Sequence, residues 1–171
     1  VETIIKKGGK TIDKYLTPFG IRSVKFDKDK GFFLNNKHLK LKGMCLHQDA
    51  GCLGTAVPDR AYERRLLILK EFGTNAIRCS HNPPSPEFLN YCDSIGFLVI
   101  DEAFDKWKSG YYEEFFDSSW QQDISDMVIR DRNHPSVILW SIGNELAEAK
   151  LKDDTGIERA GMLQDSVSYT H

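Results

Sequence analysis

The sequence predicts an α/β fold built on a parallel sheet, corresponding to the first half of a (β/α)8 barrel. From residue 40 onward, a short apolar run, a loop and an amphipathic helix follow one another four times. This is the pattern of consecutive βα units with right-handed crossovers. Each apolar run ends in polar or ionisable residues, as barrel strands do at their reaction face. A complete barrel of eight strands needs about 250 residues, so the pattern predicts a piece of a larger protein.

The first 27 residues are predicted to form β-structure. Residues 1–6 and 11–15 are short extended runs on either side of the Gly8-Gly9 turn, and residues 21–26 alternate apolar and polar side chains. A hairpin should follow, with residues 32–34 and 38–39 joined by Asn35-Asn36. Asparagine tolerates the positive φ that a tight hairpin turn requires.

The first two βα units have clear helix signals. Residues 41–46 form the first predicted strand, and Pro58-Asp59 opens a helix that Gly73 stops. The apolar face of this helix comprises Tyr62, Leu66, Leu69 and Phe72. Residues 75–79 form the second strand, and Ser85-Pro86 caps and starts a helix that halts at Gly96.

The last two units are read in the same way. Residues 97–100 form the third strand, and Ser118 or Ser119 is predicted to cap a helix that ends before His134-Pro135. Residues 137–145 read V-I-L-W-S-I-G-N-E, where the apolar run predicts a fourth strand buried on both faces. Residues 157–167 are its predicted helix.

Polar side chains follow every strand of this series. In chain order they are His47 and Asp49, then Arg78, His81 and Asn82, then Asp101 and Glu102, and finally Asn144 and Glu145. Because parallel strands place their carboxyl ends on one side of the sheet, these residues predict a polar pocket over a barrel mouth. A coincidental ring of caps and salt bridges is the alternative.

Glu145 and Asn144 are the most informative pair. Burial at such a rim can raise the pKa of a carboxyl group until it donates a proton near neutrality. An adjacent amide can both donate to and accept from a hydroxyl group. The simpler interpretation is a buried strand that ends on a polar cap.

Composition excludes several classes of partner. The net charge is −2 with both signs interspersed, which gives no electrostatic footprint for nucleic acid or an acidic membrane. No apolar run approaches the roughly 20 residues needed to span a bilayer. A homo-oligomer, and a cytoplasmic or periplasmic bacterial location, are compatible with the sequence.

The four cysteines are expected to be buried free thiols of a reducing compartment, since no CxxC pair occurs. Two C-x-H pairs, Cys45/His47 and Cys79/His81, offer a zinc site as an alternative. Residues two apart on a strand share a face, and each pair ends a strand assigned to the barrel rim. We therefore favour rim residues over zinc ligands.

Six ordered segments closely resemble glycoside hydrolase family 2, which includes β-galactosidases, β-glucuronidases and β-mannosidases. They are P-F-G-I-R-S-V-K-F (18–26), K-G-F-F-L-N-N-K (30–37), L-K-G-M-C-L-H-Q-D (41–49), N-A-I-R-C-S-H-N-P-P (75–84), D-E-A-F-D (101–105) and R-N-H-P-S-V-I-L-W-S-I-G-N-E (132–145). In that family, immunoglobulin-like sandwich domains precede a TIM-barrel catalytic domain. The resemblance implies that residues 1–27 end a sandwich and that residues 28–171 are the first four βα units of the barrel.

The resemblance also implies roles in a retaining β-glycosidase. Glu145 matches the general acid/base, Asn144 the partner of the sugar 2-hydroxyl, and Arg78 a guanidinium that holds the nucleophilic carboxylate. His47 and His81 match imidazoles facing the sugar. Structural ion pairs or backbone contacts remain open for Arg78 and both histidines. For Asp49, Asp101 and Glu102, a structural network under the pocket and substrate contact stay equally open.

Two departures from the family pattern matter. The nucleophile should come from a later strand beyond His171, so this chain alone is expected to be inactive. Some β-galactosidases carry magnesium ligands just after D-E-A, where this chain has Asp105-Lys106-Trp107-Lys108. A lysine there disfavours a hard cation, and we expect neither metal nor cofactor.

The expected activity of the full-length protein is hydrolysis of terminal non-reducing β-D-glycosides, with a glycoside or oligosaccharide as partner. W-S-I-G-N-E followed by Leu146, with H-Q-D and D-E-A-F-D, favours β-galactosides, ahead of β-glucuronides and β-mannosides. A non-catalytic carbohydrate-binding relative is the alternative from another class.

Overall fold

The computed structural model describes residues 1–107, 109–146 and 154–170. Lys108, named above with the magnesium question, lies outside the described residues. Among those described, no helix combines the length and apolar character needed to cross a membrane.

The chain begins with a two-stranded antiparallel ribbon, formed by β1 (Glu2–Lys7) and β2 (Lys10–Leu16). Gly8 and Gly9 join the strands at φ values of 57° and 79°, which residues with a Cβ rarely adopt. The two predicted extended runs and the turn between them are therefore confirmed. Every residue of both strands is exposed, including Ile5 and Ile12.

A three-stranded antiparallel sheet follows, with β3 (Val24–Asp27), β4 (Gly31–Leu34) and β5 (Lys37–His38). Asn35 and Asn36 turn the chain at φ values of 49° and 63°, as the sequence predicted. Strand β3 starts three residues later than expected, and Ile21 is exposed. Because β3 pairs with β4, the predicted boundary at residue 27 falls inside one sheet.

The remaining strands form one parallel sheet in the order β6 (Gly43–His47), β7 (Ala76–Ser80), β8 (Leu98–Glu102) and β9 (Val137–Ser141). Helices α1 (Asp59–Glu71), α2 (Pro86–Ile95) and α3 (Glu113–Asp131) connect them, and α4 (Asp154–Thr170) follows β9. These are four consecutive βα units, so the predicted half barrel is confirmed.

Local signals explain where the second helix begins and ends. The Ser85 hydroxyl accepts the backbone N–H of Phe88, and Pro86 occupies the first helical position. Gly96 ends α2 in the left-handed region at φ 83°. Phe88, Leu89 and Cys92 bury the inner face of α2 against the sheet.

Three local predictions were wrong. Helix α3 begins at Glu113, so Ser118 and Ser119 lie inside the helix and cannot be its N-cap. Phe72 lies beyond the end of α1 and is exposed. Strand β9 is not buried on both faces, because Leu139 is exposed and only Val137 is fully buried.

The three-stranded sheet closes the amino ends of the barrel strands. Phe32 of β4 is buried against Ala76 and Leu98, the first residues of β7 and β8. Val24, Leu34, Leu39, Leu41 and Ile138 complete this cluster. The polar residues lie at the opposite side of the sheet, at the carboxyl ends of the strands.

Candidate active site

Glu102 is the centre of the polar network at the carboxyl edge of the sheet. Its side chain is fully buried at the end of β8. Arg78 donates to Oε2 from Nε at 2.9 Å and Nη2 at 2.6 Å, and the Ser141 hydroxyl donates to the same oxygen at 2.7 Å. His81 Nδ1 lies 2.6 Å from Oε1.

The side chain of Glu102 is surrounded by protein partners. Both carboxylate oxygens are engaged by protein groups, and none of the side chain is exposed to a ligand. These contacts favour the structural network over direct substrate contact for Glu102. Its charge holds Arg78 and His81 in place from beneath the rim.

Arg78 joins this buried carboxylate to Asn144. Its Nη2 also donates to Asn144 Oδ1 at 3.0 Å, across from β7 to the segment after β9. Partial burial by itself would lower the pKa of Arg78, but hydrogen bonds and charge from Glu102 raise it above its ordinary value. The guanidinium is thus a permanent cation at the floor of the site.

Asn144 is held at both ends of its amide. Oδ1 accepts from Arg78, and Nδ2 donates to Asp105 Oδ1 at 2.9 Å. The backbone N–H of Asn144 donates to the Asp105 carbonyl at 2.5 Å. The orientation of this amide is therefore defined by its partners, and one N–H of Nδ2 remains for a further acceptor.

Glu145 follows at the exposed rim. Its backbone lies in the left-handed region at φ 48°, which directs it away from the strand path. About two thirds of its side chain is exposed, and Oε2 lies 3.2 Å from the Lys106 ammonium. The carboxylate is thus open to a ligand, and the expected burial of Glu145 is not observed.

His47 and His81 lie side by side at the ends of β6 and β7. Their ring centroids are 5.2 Å apart in an edge-to-face arrangement. His81 is half-buried and contacts Glu102, whereas His47 is exposed. The peptide bond between Ser80 and His81 is cis. Both predicted imidazoles are therefore at the rim.

Two further predicted residues lie beside this network. Asn82 donates from Nδ2 to Gln48 Oε1 at 2.6 Å and to the Pro83 carbonyl at 3.0 Å, so it links the loops after β6 and β7. Asp49 is exposed, and its backbone N–H donates to the His47 carbonyl at 2.9 Å. Among the described residues, Asp49 has no place in the Glu102 network.

Asp101 is buried on the face of β8 opposite Glu102, which favours a structural role over substrate contact. Alternation along the strand directs Asp101 towards α3 while Glu102 faces the site. Both of its carboxyl oxygens are buried, and no donor within the described part of the chain bonds them. Burial, with the like charge of Asp131, raises the pKa of Asp101 to about 8.

The zinc alternative does not fit the structure. Cys79 is buried in the apolar core with Tyr62 and Phe88, whereas His81 turns into the site after β7 has ended. Burial raises the pKa of the Cys79 thiol, which disfavours the thiolate that a metal needs. In the described ranges, no cluster of three or more His, Cys, Asp or Glu side chains could hold a metal ion.

The cysteines are free but not uniformly buried. Cys79 and Cys92 are buried, whereas Cys45 and Cys52 are exposed. The expectation of buried thiols therefore holds for two of the four.

Sequence reasoning missed four residues of the site: Gln48, Asp105, Lys106 and Ser141. Asp105 and Lys106 were considered only as replacements for magnesium ligands. Their nearness in sequence to Glu102, at the end of a predicted strand, was the signal that could have found them. Ser141, two residues after Leu139 on β9, contacts Glu102 because both side chains face the same side of the sheet.

An open cleft of about 820 Å³ borders the site between the loops after β7 and β8 and helix α3. His81, Asn82, Asp105 and Lys106 form the side nearest the site. Phe104, Tyr111 and Tyr112 contribute aromatic rings. A ligand that contacts Glu145 could therefore extend beyond the rim.

Comparison with known proteins supplies relatives for this arrangement. The profile of glycosyl hydrolases family 2, TIM barrel domain, matches residues 24–158. A β-galactosidase of Bacteroides ovatus is 49% identical over 168 residues, covering 94% of this chain. A putative β-glucuronidase of Formosa agariphila is 45% identical over 148 residues, covering 84% of this chain.

A solved structure is also similar. The chain superposes on a glycosyl hydrolase family 2 member from Bacteroides cellulosilyticus with a TM-score of 0.93 and 45% identity, over 99% of this chain and 22% of that one. The chain spans only 20% and 14% of the length of the two curated relatives.

Proposed function

The chain belongs to glycoside hydrolase family 2, and from this premise we propose that it supplies the acid/base half of the active site of a retaining β-glycosidase. In the full-length protein, the substrate is a terminal non-reducing β-D-glycoside. Glu145 is the acid/base, and Asn144 binds the sugar beside it. The nucleophilic carboxylate comes from outside this chain.

One observation carries the proposal: Glu145 is an exposed carboxylate next to an amide whose orientation is set by two partners. A retaining glycosidase needs a carboxyl group that reaches the leaving oxygen and a hydrogen bond to the 2-hydroxyl that strengthens in the transition state. The second N–H of Asn144 Nδ2 is suited to that bond. Glu145, on its exposed turn, is suited to proton transfer.

The reaction has two displacements. The nucleophilic carboxylate attacks the anomeric carbon while Glu145 donates its proton to the glycosidic oxygen, which leaves as the alcohol. A covalent glycosyl-enzyme and ionised Glu145 remain. Glu145 then takes a proton from water as that water attacks the anomeric carbon, which releases the sugar with retained configuration and restores the nucleophile.

The floor of the site supports both displacements by holding its groups fixed. Arg78 is hydrogen-bonded to buried Glu102, so its guanidinium is already in position and does not have to move during the reaction. His47 and His81 are in position to bond hydroxyl groups of the sugar. The second carboxylate must lie about 5 Å from Glu145 for retention.

We propose β-galactosides as the substrates, ahead of β-glucuronides and β-mannosides. The relative with the highest identity quoted above is a β-galactosidase. The segments H-Q-D (47–49), D-E-A-F-D (101–105) and W-S-I-G-N-E with Leu146 (140–146) favour the same substrate. The similarity to a putative β-glucuronidase makes the glucuronide the closest competitor.

The test uses the full-length protein and nitrophenyl β-galactoside, β-glucuronide and β-mannoside. We expect the highest kcat/KM with the galactoside. Glu145→Gln should bind the sugar normally and lose about 10²- to 10⁴-fold in kcat/KM on substrates with poor leaving groups, since an amide cannot transfer the proton. Binding of sugars with no turnover of any glycoside would instead indicate a carbohydrate-binding relative.

A further inference from the structure

Lys106 makes the contact with Glu145 that the proposed function leaves unexplained. Its ammonium lies 3.2 Å from Glu145 Oε2 and 3.0 Å from each carboxylate oxygen of Asp105. Less than a third of the Lys106 side chain is exposed, compared with two thirds for Glu145. The lysine is therefore the less exposed member of the pair.

Asp105 is held in turn by the segment that carries the acid/base. Its Oδ1 accepts from Asn144 Nδ2, and its carbonyl accepts the backbone N–H of Asn144. The hydrogen bond from Asn144, followed by that from Lys106, lowers the pKa of Asp105, so it is an anion. Asp105 thus ties Lys106 to the residue next to Glu145.

Trp107 holds this loop on the other side of Lys106. Its ring is fully buried, and its Nε1 donates to the Ile142 carbonyl at 2.8 Å. Ile142 immediately follows β9 and leads into residues 143–145. Both neighbours of Lys106 are therefore attached to residues 142–144, Asp105 by its backbone and side chain and Trp107 by its ring.

The ion pair uses one oxygen of Glu145 and leaves the other for proton transfer. Oε2 faces Lys106, so Oε1 is the oxygen that can carry the proton to the leaving group. When that proton leaves, Glu145 becomes an anion directly beside an ammonium, which stabilises the new charge. An exposed glutamate without this contact would sample several rotamers.

We propose that Lys106, held by Asp105, is a positioning residue for the acid/base Glu145. This inference rests on the proposed function, because it concerns proton donation to the leaving group. Lys106 contributes most where the leaving group needs that proton, and little where the leaving group departs as a stable anion.

The test measures kcat/KM of the full-length protein on aryl β-galactosides whose phenols range from dinitrophenol to unsubstituted phenol. For retaining glycosidases, kcat/KM reports the first displacement alone. Lys106→Met should lower kcat/KM about 10-fold or more on the phenyl glycoside and less than about 3-fold on the dinitrophenyl glycoside, because only the former needs acid catalysis. Lys106→Arg, which keeps the positive charge, should retain most of the wild-type kcat/KM on the phenyl glycoside.

A matched control comes from the same chain. Lys25 forms an ion pair with Asp27 at 3.3 Å on the three-stranded sheet, away from the site. Lys25→Met should leave the leaving-group dependence unchanged. Lys106→Gln provides a second neutral variant, and the melting temperature of each variant verifies that it is folded.

The outcomes separate the two proposals. Suppose that Glu145→Gln shows the leaving-group dependence. If Lys106→Met then loses kcat/KM equally across the whole series, or loses none, the role of Lys106 is overturned and the proposed function stands. An inactive wild-type protein, or a Glu145→Gln variant without that dependence, overturns the proposed function and this inference with it.

Discussion

Arg78 at β7 and Asn144 after β9 are joined by a hydrogen bond of 3.0 Å that passes across the end of β8. The guanidinium that makes it also neutralises buried Glu102. A residue expected to touch the sugar is thus connected to a fully buried charge. This relationship means that disturbing the floor of the site should affect stability and substrate binding together.

Arg78→Met tests that coupling. Removing one member of a buried ion pair leaves an uncompensated charge, and we expect a loss of about 3 kcal/mol in the free energy of unfolding. kcat/KM should also fall, since Asn144 loses the partner of its Oδ1. Urea denaturation and steady-state kinetics measure the two effects. Unchanged stability would show that Glu102 finds another partner.

Asn144→Asp should be more harmful than Asn144→Ala. The aspartate keeps an acceptor for Arg78 but places a second carboxylate oxygen where Nδ2 now lies 2.9 Å from Asp105. Like charges at this distance repel one another. We expect a lower melting temperature for Asn144→Asp than for Asn144→Ala above about pH 5, with the difference shrinking as acid protonates the pair. Equal melting temperatures at all pH values would contradict this.

Asp101 should make stability depend on pH in a defined direction. Its folded pKa of about 8 lies above the unfolded value, so the folded state binds the proton more tightly. The stabilisation is therefore complete below about pH 4 and is lost as the pH rises to about 8, with a slope of about 1.4 kcal/mol per pH unit.

Asp101→Asn removes that titration while keeping the shape of the side chain. Asparagine has no group that titrates in this range, so its own contribution to stability does not change with pH. The melting temperature of the variant relative to wild type should rise steadily between about pH 4 and pH 8. If the melting temperatures of the variant and the wild type changed in parallel with pH across this range, Asp101 would already be ionised in the folded protein.

Gly143→Ala should displace the segment that carries Glu145, the proposed acid/base. A Cβ on Gly143 would lie 2.8 Å from Leu146 Cδ2 and 3.0 Å from Trp107 Nε1. Because a shift of about 1 Å at a catalytic group can cost 10²-fold in rate, we expect kcat/KM to fall at least 10-fold. Gly161→Ala is the control, since its Cβ meets nothing within 4 Å in helix α4. Gly161→Ala should keep full activity and raise stability by up to about 1 kcal/mol.

The sequence was sufficient for the architecture because its signals were local. Ser85-Pro86 and Gly96 mark a helix by capping chemistry alone, and Asn35-Asn36 marks a tight turn by backbone preference. Helix α3 was placed too short because two serines resemble an N-cap. Its start at Glu113 depends on tertiary packing, in which Phe116 is buried with Trp107.

The site was predicted at the level of strand ends but not of individual contacts. Asp101 and Glu102 are adjacent and chemically alike, yet strand alternation sends one towards α3 and the other into the site. The phase of that alternation was not visible in a run as short as residues 97–102. Lys106 was missed because its role depends on Glu145, 39 positions away, approaching the loop after β8.

The packing of Phe32 against Ala76 and Leu98 places the apolar contacts that stabilise the sheet far from the proposed site. The amino ends of the strands carry this apolar packing, and the carboxyl ends carry the polar side chains. Insertions or exchanges in the loops after β6, β7 and β8 can therefore reshape which sugar is accepted without loosening the scaffold beneath. We expect related proteins that differ in these loops to keep apolar residues at the positions of Phe32, Ala76 and Leu98.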